Sequence, residues 1–317
     1  MEMKQPLIVL TGPTAVGKTE LSIELAKLVN GEIISADSMQ VYRHMDIGTA
    51  KITPEEMQGV KHYLIDVLNP DEEFNIVLFQ TLAKQAMKEI YEKGKIPILV
   101  GGTGFYIQSV LYDIDFTKTQ TDSTYRMELE SLAKEKGAFY LHEQLQKIDP
   151  ASAKKIHANN IKRVIRALEF YKLTGKKISE HNEKEQSKES PYNFAYFVLN
   201  QDRKVLYERI DKRVDNMVKH GLIQEVKSLY EKGYQKNLVS IQGLGYKEII
   251  SYLEGDCTLE EAVYILKRDT RHFAKRQITW FKREKEVIWV DKQNKTEDEI
   301  LAILKQELKK KLILKDE

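Results

Sequence analysis

One segment, residues 7–29, constrains the fold more than any other part of the chain. Residues 7–10 are all apolar and predict a buried strand, and leucines at helical spacing predict a helix over residues 18–29. Between them, residues 12–19 have the sequence GPTAVGKT, which matches G-x-x-x-x-G-K-[ST] at every fixed position. This order predicts a phosphate-binding loop, whose backbone N–H groups converge on phosphate oxygens at the positive end of the helix.

The loop predicts a role for individual side chains as well. Lys18 places a positive charge beside the terminal phosphates, and Thr19 offers a hydroxyl ligand to Mg²⁺. The predicted diphosphate-binding residues are Gly12, Pro13, Thr14, Ala15, Val16, Gly17, Lys18 and Thr19. A diphosphate group is chemically the same at the end of ATP and at the end of a prenyl alcohol, so the loop alone leaves its ligand open.

The remaining pattern predicts an α/β fold. Further apolar segments predict strands at 32–36, 63–67, 96–100, 194–199 and 287–290, with helical segments between them. Strands that alternate with helices predict a P-loop NTPase-like parallel sheet flanked by helices. We therefore expect residues 1–116 and 191–317 to form a catalytic domain, and residues 117–190, which contain no convincing strand, to form an all-helical insertion domain.

Helical spacing places the helices of this insertion. It predicts them near residues 123–136, 140–148 and 160–173. Residues 176–190 are so polar that we expect a solvated connection there.

Composition excludes several classes of protein. The single cysteine, Cys257, excludes a disulfide framework and a cysteine-based zinc site. The apolar stretch at residues 7–10 is too short for a signal peptide, so we expect a cytoplasmic protein. No segment approaches the roughly 18 apolar residues of a membrane span, so no membrane partner is expected.

One segment is strongly basic, although the net charge of the chain is only +2. Residues 262–285 contain eight Lys or Arg residues and two acidic residues, a distribution typical of nucleic acid binding. The basic side chains that share one helix face are Arg268, Arg271, Lys275 and Lys282. A charged face is more often solvated surface than an RNA contact, so this pattern alone leaves both interpretations open.

Two candidate site residues follow predicted strands, and they are expected at the same edge of the sheet as the phosphate loop. Asp37 ends the second strand and suits a catalytic base and a helix cap equally well. Thr103 follows Gly101 and Gly102 after the fourth strand, and suits either a hydroxyl in the crevice or an N-cap. The two glycines are expected to let the backbone approach a ligand closely.

Three motifs together resemble one family. They are GPTAVGKT at 12–19, DSMQVY at 37–42 and GGTGFY at 101–106, and their order and spacing are similar to those of the bacterial tRNA dimethylallyltransferases, also called isopentenyltransferases. Segments at 160–169, 209–214, 242–247 and 275–281 agree with this, so the resemblance spans about residues 7–285. Eukaryotic members can carry a C-terminal zinc finger, which the single cysteine excludes here.

The resemblance implies a reaction. A dimethylallyl group would pass from dimethylallyl diphosphate to N6 of the adenosine 3′ of the anticodon in tRNA. Asp37 would be the general base, Arg213 would stabilise the departing diphosphate, and Lys18 and Thr103 complete the expected catalytic residues. The resemblance also favours the RNA interpretation of the basic face over solvated surface.

The resemblance further implies the partners. They are the tRNA anticodon stem-loop and dimethylallyl diphosphate, with Mg²⁺ as cofactor, and we expect a monomer. The residues expected to meet tRNA are Asp37, Ser38, Met39, Gln40, Thr103, Arg126, Lys162, Arg163, Val164, Ile165, Arg166, Gln242, Gly243, Leu244, Gly245, Tyr246 and Lys247.

Two other functions compete with this one. A small-molecule or nucleoside kinase would use the same loop for ATP and Asp37 to activate a hydroxyl. The only candidate for its second magnesium-binding motif is a weak one, the strand at residues 63–66 that ends in Asp66. A P-loop protein that binds RNA without transfer chemistry is the third possibility.

Overall fold

The computed structural model of the protein describes residues 4–116 and 123–315. The chain divides into two compact units, one formed by Met1–Leu111 with Pro191–Glu317 and the other by Tyr112–Ser190. The second unit begins at Tyr112, ahead of the boundary at residue 117 that the sequence suggested. Residues 117–122, the first of the predicted insertion, lie outside the described residues, as do residues 1–3 at the N-terminus.

A six-stranded parallel sheet forms the centre of the described part of the first unit. Its strands are β1 (Pro6–Thr11), β2 (Gly31–Ser35), β3 (His62–Tyr63), β4 (Ile96–Gly101), β5 (Asn193–Asn200) and β6 (Val287–Asp291), in the spatial order β3-β2-β4-β1-β5-β6. Every pairing is parallel, with Ile8 of β1 opposite Ile98 of β4 and Ala195 of β5. The expected fold class is confirmed, although β3 is shorter than the predicted strand at 63–67.

The helices follow the chain in this order: α1 (Lys18–Leu28), α2 (Ile76–Glu92), α3 (Gly104–Leu111), α4 (Ser123–Lys136), α5 (Ala138–Ile148), α6 (Pro150–Lys155), α7 (Ile161–Thr174), α8 (Ile178–Gln186), α9 (Arg203–Lys219), α10 (Leu222–Glu231), α11 (Tyr246–Leu253), α12 (Leu259–Phe281) and α13 (Glu297–Lys310). α4 to α8 belong to the second unit and the others to the first. No helix in the described ranges is long and apolar enough to cross a membrane.

The core of the first unit explains why β1 is central. The strand is covered on both sides of the sheet, so Leu7 to Leu10 are fully buried. Leu10 belongs to one apolar cluster with Phe197 of β5, Leu25 of α1 and Ile210 of α9. Burial on both faces produces the continuous apolar run in the sequence. It also fixes the end of β1, where the phosphate loop begins.

The second unit is built from helices around its own apolar cluster. Leu129 of α4, Leu141 and Leu145 of α5 and Leu168 of α7 form part of this cluster. α4, α5 and α7 lie where helical spacing predicts them, because each carries an apolar face.

The polar connection expected at residues 176–190 is wrong, because residues 178–186 form α8. Polar contacts hold this helix in place. The buried Glu185 carboxylate accepts a hydrogen bond from the backbone N–H of Asp115 at 2.8 Å and pairs with Lys188 at 2.6 Å. At the other end, the Ser179 hydroxyl donates to the Asp149 carboxylate at 2.7 Å. A helix fixed by polar contacts lacks the apolar spacing that would predict it.

α7 separates residues that the sequence groups together. The side chains of Val164 and Ile165 belong to the core of the second unit, with exposed fractions of 0% and 3%. Lys162 and Arg163 are exposed and Arg166 is partly exposed. The prediction that Val164 and Ile165 meet tRNA is therefore corrected for their side chains, which are not available to a partner.

Candidate active site

The loop between β1 and α1 has the shape that its glycines permit. Gly17 caps α1 with φ 88° and ψ 44°, a left-handed conformation that glycine adopts at little cost. Gly12 lies against β5, since a Cβ at that position would lie 2.6 Å from the carbonyl oxygen of Leu199. Lys18 folds back over the loop, and its ammonium donates to the carbonyl oxygens of Gly12 at 3.0 Å and Pro13 at 2.9 Å.

The backbone N–H groups of the loop are not all available to a ligand. The N–H of Thr14 donates to Oε1 of Gln277 on α12 at 2.9 Å. The N–H groups of Ala15 and Gly17 make no hydrogen bond within the described residues. The Thr14 amide is therefore occupied by Gln277, while Ala15 and Gly17 offer unused donors at the N-terminus of α1.

Three charged side chains meet beside this loop. Burial and, to a smaller extent, the nearby Arg213 of α9 lower the pKa of Lys18 to about 7, and Asp37 opposes both effects. Burial also lowers the pKa of Arg213, again against Asp37. Among the described residues Arg213 has neither a hydrogen bond nor an ion pair. The site thus holds two cations with one nearby carboxylate, so it carries an excess of positive charge when Lys18 is protonated, and a bound anion would offset that excess.

Asp37 closes a turn with one carboxylate oxygen and keeps the other unused. Its Oδ1 accepts hydrogen bonds from the backbone N–H groups of Met39 at 2.8 Å and Gln40 at 3.3 Å, so it closes the turn after β2. No donor in residues 4–116 or 123–315 bonds to Oδ2. The expected helix cap is wrong, because the structure places no helix directly after Asp37 and the carboxylate closes a turn instead. That contact is compatible with a base, since it fixes one oxygen and leaves the other unused.

The turn after β4 packs against protein atoms. A Cβ at Gly101 would lie 2.3 Å from the carbonyl oxygen of Ala36, and one at Gly102 would lie 2.0 Å from Nε2 of Gln277. The expectation that these glycines let the backbone approach a ligand is revised, since in this structure they admit the backbone of Ala36, just after β2, and the Gln277 side chain of α12. Thr103 follows, partly exposed, and its carbonyl oxygen accepts the N–H of Tyr106 at 2.9 Å at the start of α3.

The segments at 37–40 and 242–247 lie next to each other. A Cβ at Gly243 would lie 3.1 Å from the sulfur of Met39. Gln242 is exposed, and Leu244 and Lys247 are partly exposed. Two regions that are far apart in the sequence therefore form one surface beside Asp37.

A residue that the sequence did not single out anchors this surface. The Glu225 carboxylate of α10 accepts from the backbone N–H groups of Asp46, Ile47 and Gly48 at 2.9, 2.7 and 3.0 Å. It also accepts the Tyr246 hydroxyl at 2.7 Å. Tyr246 is fully buried, so the prediction that it meets tRNA is corrected for its side chain. Its role is to hold the 242–247 segment in place.

Gln40 is occupied in a similar way. Its Oε1 accepts the Ser35 hydroxyl at 3.1 Å, and its Nε2 donates to the carbonyl oxygens of Thr49 and Ala50 at 3.4 and 3.3 Å. Ser38 and Met39 remain partly exposed at the surface next to Gly243.

The predicted tRNA contacts of the second unit differ in availability. Arg126 makes two hydrogen bonds to the buried Glu169 carboxylate, at 2.7 and 2.6 Å. In contrast, the side chains of Lys162, Arg163 and Arg166 form no ion pair within the described ranges. Of the cations predicted to meet tRNA in this unit, these three are therefore free to bind phosphates, whereas Arg126 is bonded to Glu169.

The basic face of α12 is only partly free. Arg271 pairs with Asp211 of α9, and Arg268 pairs with its neighbour Asp269. Lys275 and Lys282 are exposed, and neither forms an ion pair with any described residue. Arg271 and Arg268 therefore have structural partners on the protein itself.

The chain matches known proteins over most of its length. Residues 40–284 match the family model described as IPP transferase. Over 312 residues the chain is 65% identical to a tRNA dimethylallyltransferase of Lachnoclostridium phytofermentans, covering 98% of this chain and 100% of the relative.

Two solved structures are similar. The tRNA isopentenylpyrophosphate transferase of Bacillus halodurans has a TM-score of 0.75 at 48% identity, covering 98% of this chain and 97% of that one. A eukaryotic dimethylallyltransferase acting on tRNA has a TM-score of 0.83 at 32% identity, covering 96% and 80%.

The pKa of Lys18 yields a prediction for diphosphate binding. With a pKa of about 7, Lys18 is largely neutral at pH 8 and protonated at pH 6. A bound anion favours the protonated form, so binding at pH 8 should take up close to one proton at Lys18 and binding at pH 6 almost none. Affinity should therefore weaken as pH rises above about 7.

Calorimetric titration with inorganic diphosphate, in buffers of different ionisation enthalpy, measures this uptake. Lys18→Met is the control, and the difference between the two proteins isolates Lys18 from protons that diphosphate itself exchanges. Equal uptake by both proteins at pH 8 would contradict the prediction.

Proposed function

This chain belongs to the tRNA dimethylallyltransferase family, and from that premise we propose that it transfers a dimethylallyl group from dimethylallyl diphosphate to N6 of the adenosine 3′ of the anticodon. The observation that carries the proposal is that Arg213 and Asp37 both act electrostatically on Lys18, whose ammonium donates to two carbonyl oxygens of the phosphate loop. The transfer needs cations beside the departing diphosphate and a base beside the adenine N6, and these three side chains supply both.

The cations act on the leaving group. As the allylic C–O bond breaks, its electron pair leaves with the diphosphate, and negative charge grows on the bridging oxygen. Lys18, Arg213 and the unused N–H groups at the start of α1 are positive where this charge develops. Because Arg213 has no other partner in the described chain, it is available to this oxygen without breaking a contact.

Asp37 acts at the other end. The adenine amine is a weak nucleophile, because its lone pair is delocalised into the ring. As N6 forms its bond to the allylic carbon, a proton must leave the nitrogen, and Oδ2 of Asp37 is the unused acceptor. The adjacent surface of Ser38, Met39 and Leu244 would hold the anticodon loop, from which an unpaired base can be flipped out cheaply.

Mg²⁺ fits this site as a partner of the diphosphate. No group of three or more His, Cys, Asp or Glu side chains in the described residues could hold a metal. Mg²⁺ commonly takes most of its ligands from water and phosphate oxygens, so the exposed Thr19 hydroxyl on the first turn of α1 suffices as a protein ligand. When bound, the ion would neutralise charge on the diphosphate.

The kinase alternative is not favoured by the family or by the local contacts. Asp66, its candidate magnesium ligand, is paired with Lys51 at 2.6 Å. A monomeric state and a cytoplasmic location remain parts of the proposal.

The proposal has a direct test. The protein is incubated with dimethylallyl diphosphate, Mg²⁺ and unmodified total tRNA, and the digested nucleosides are separated. The expected product is N6-dimethylallyladenosine together with free diphosphate. ADP formed from ATP without this nucleoside would support the kinase, and tRNA binding without product would support the RNA-binding alternative.

Asp37→Asn should lower kcat by about 10²–10⁴-fold and leave the Kd for dimethylallyl diphosphate within a small factor. The asparagine oxygen still accepts from Met39, so the turn persists, but the amide is a far poorer proton acceptor. Asp37→Ala is the matched variant, because it also removes the hydrogen bonds that close the turn and should lower stability by about 0.5–1.5 kcal/mol. Near-normal turnover by Asp37→Asn would reduce Asp37 to a structural role in the turn.

The free cations of α7 predict how tRNA binding depends on salt. Changing Arg163 and Arg166 to Ala should weaken tRNA binding and reduce the slope of log K against log salt by roughly 0.7–0.9 for each phosphate that α7 no longer neutralises. The KM for dimethylallyl diphosphate should barely change. Lys154→Ala with Lys155→Ala removes the same charge from exposed positions of the same unit. Identical slopes for wild type and the arginine variant would show that α7 does not bind tRNA.

A further inference from the structure

Gln277 joins the two loops to which the proposed reaction assigns its two substrates. Its Oε1 accepts the N–H of Thr14 in the phosphate loop at 2.9 Å, and its Nε2 donates to the carbonyl oxygen of Gly102 at 3.0 Å, in the turn that leads to Thr103. These contacts fix the orientation of the amide, since only its oxygen can accept and only its nitrogen can donate.

The Gln277 amide is enclosed by the protein and packs closely against Gly102. The Gln277 side chain is buried, with an exposed fraction of 6%. A Cβ at Gly102 would lie 2.0 Å from Nε2, so the absence of a side chain at Gly102 is what admits the amide. One turn further along α12, Trp280 lies against Gly104 in the same way, 2.2 Å from where a Cβ would be. α12 therefore packs over the turn after β4 through two side chains.

We propose that Gln277 is a positioning residue that sets the distance between the donor loop and the acceptor turn. This inference rests on the proposed transfer reaction. An amide neither titrates nor carries charge, so it offers no proton to the reaction. Its two hydrogen bonds instead fix the Thr14 backbone relative to Gly102, and reacting atoms that are held apart by an extra ångström can lose about 10²-fold in rate.

Gln277→Met removes both hydrogen bonds at similar volume. It should lower kcat by roughly 10–100-fold with a smaller effect on either KM, because the loops persist but their spacing is no longer fixed. Unchanged kcat, or a loss confined to the KM for one substrate, would overturn the proposal. Wild-type turnover in the same assay tests the proposed function separately, since the positioning role can fail while the transfer reaction stands.

Gln277→Glu gives a readout that a general loss of stability would not produce. The ionised carboxylate still accepts from Thr14 but cannot donate to Gly102, whereas the protonated carboxyl can do both. Burial favours the protonated form. Activity of the variant relative to wild type should rise as pH falls, by roughly ten-fold per pH unit above the carboxyl pKa. Lys18 titrates in both proteins, so the ratio largely removes its contribution. A ratio that does not change with pH would contradict the proposal.

A double-mutant cycle tests the same contact from the other side. Gly102→Ala should impair wild type, because the new methyl group displaces the amide. In a Gln277→Ala background the space is open, since the next atom near that Cβ is the Gly12 carbonyl oxygen at 3.7 Å. The double variant should therefore match Gln277→Ala alone. Losses that multiply would show that Gly102 and Gln277 act independently.

Discussion

The site depends on two cations that are held close together with too little negative charge to balance them. Lys18 and Arg213 lose water and repel each other, and both changes lower the pKa of Lys18 to about 7. Asp37 offsets part of this cost, but its Oδ1 is occupied by the turn after β2. Folding thus brings the two positive charges together at a cost in electrostatic free energy. Binding of a diphosphate offsets that cost, because the anion attracts both cations. The same attraction is strongest when charge grows on the leaving oxygen.

Most of the fold was predictable because its signals are local. The apolar run of β1 and the glycines and lysine of the phosphate loop lie within a few residues of one another, and so do the elements that they specify. α8 was missed because it is held by contacts of Glu185 and Ser179, which leave no apolar period. β3 was predicted too long, since Leu64 and Asp66 adopt left-handed backbone conformations that a strand cannot include.

The site was predictable in its charged groups and not in its supports. Lys18 follows from the motif and Asp37 from its position after a strand, whereas Arg213 entered only through the resemblance. Gln277 lies 263 residues from its partner Thr14, and Glu225 lies 178 residues from Ile47, so no local pattern marks either one. A segment that resembles the family in sequence also does not show which of its side chains are exposed and which are buried. For that reason the residues expected to meet tRNA included Val164, Ile165 and Tyr246, whose side chains are buried.

The affinity of an Arg213→Ala variant for diphosphate tests whether Arg213 and the phosphate loop bind the diphosphate together. Titration calorimetry with inorganic diphosphate and Mg²⁺ would compare wild type, Arg213→Ala and Arg203→Ala. Arg203 is an exposed residue of the same helix, stacked on Tyr207, and serves as the charge-matched control. We predict that Arg213→Ala weakens binding by roughly ten- to a hundredfold, the range for losing a hydrogen bond to a charged group, while Arg203→Ala binds like wild type. Equal affinity of wild type and Arg213→Ala would contradict the claim that the phosphate loop and Arg213 hold the diphosphate together.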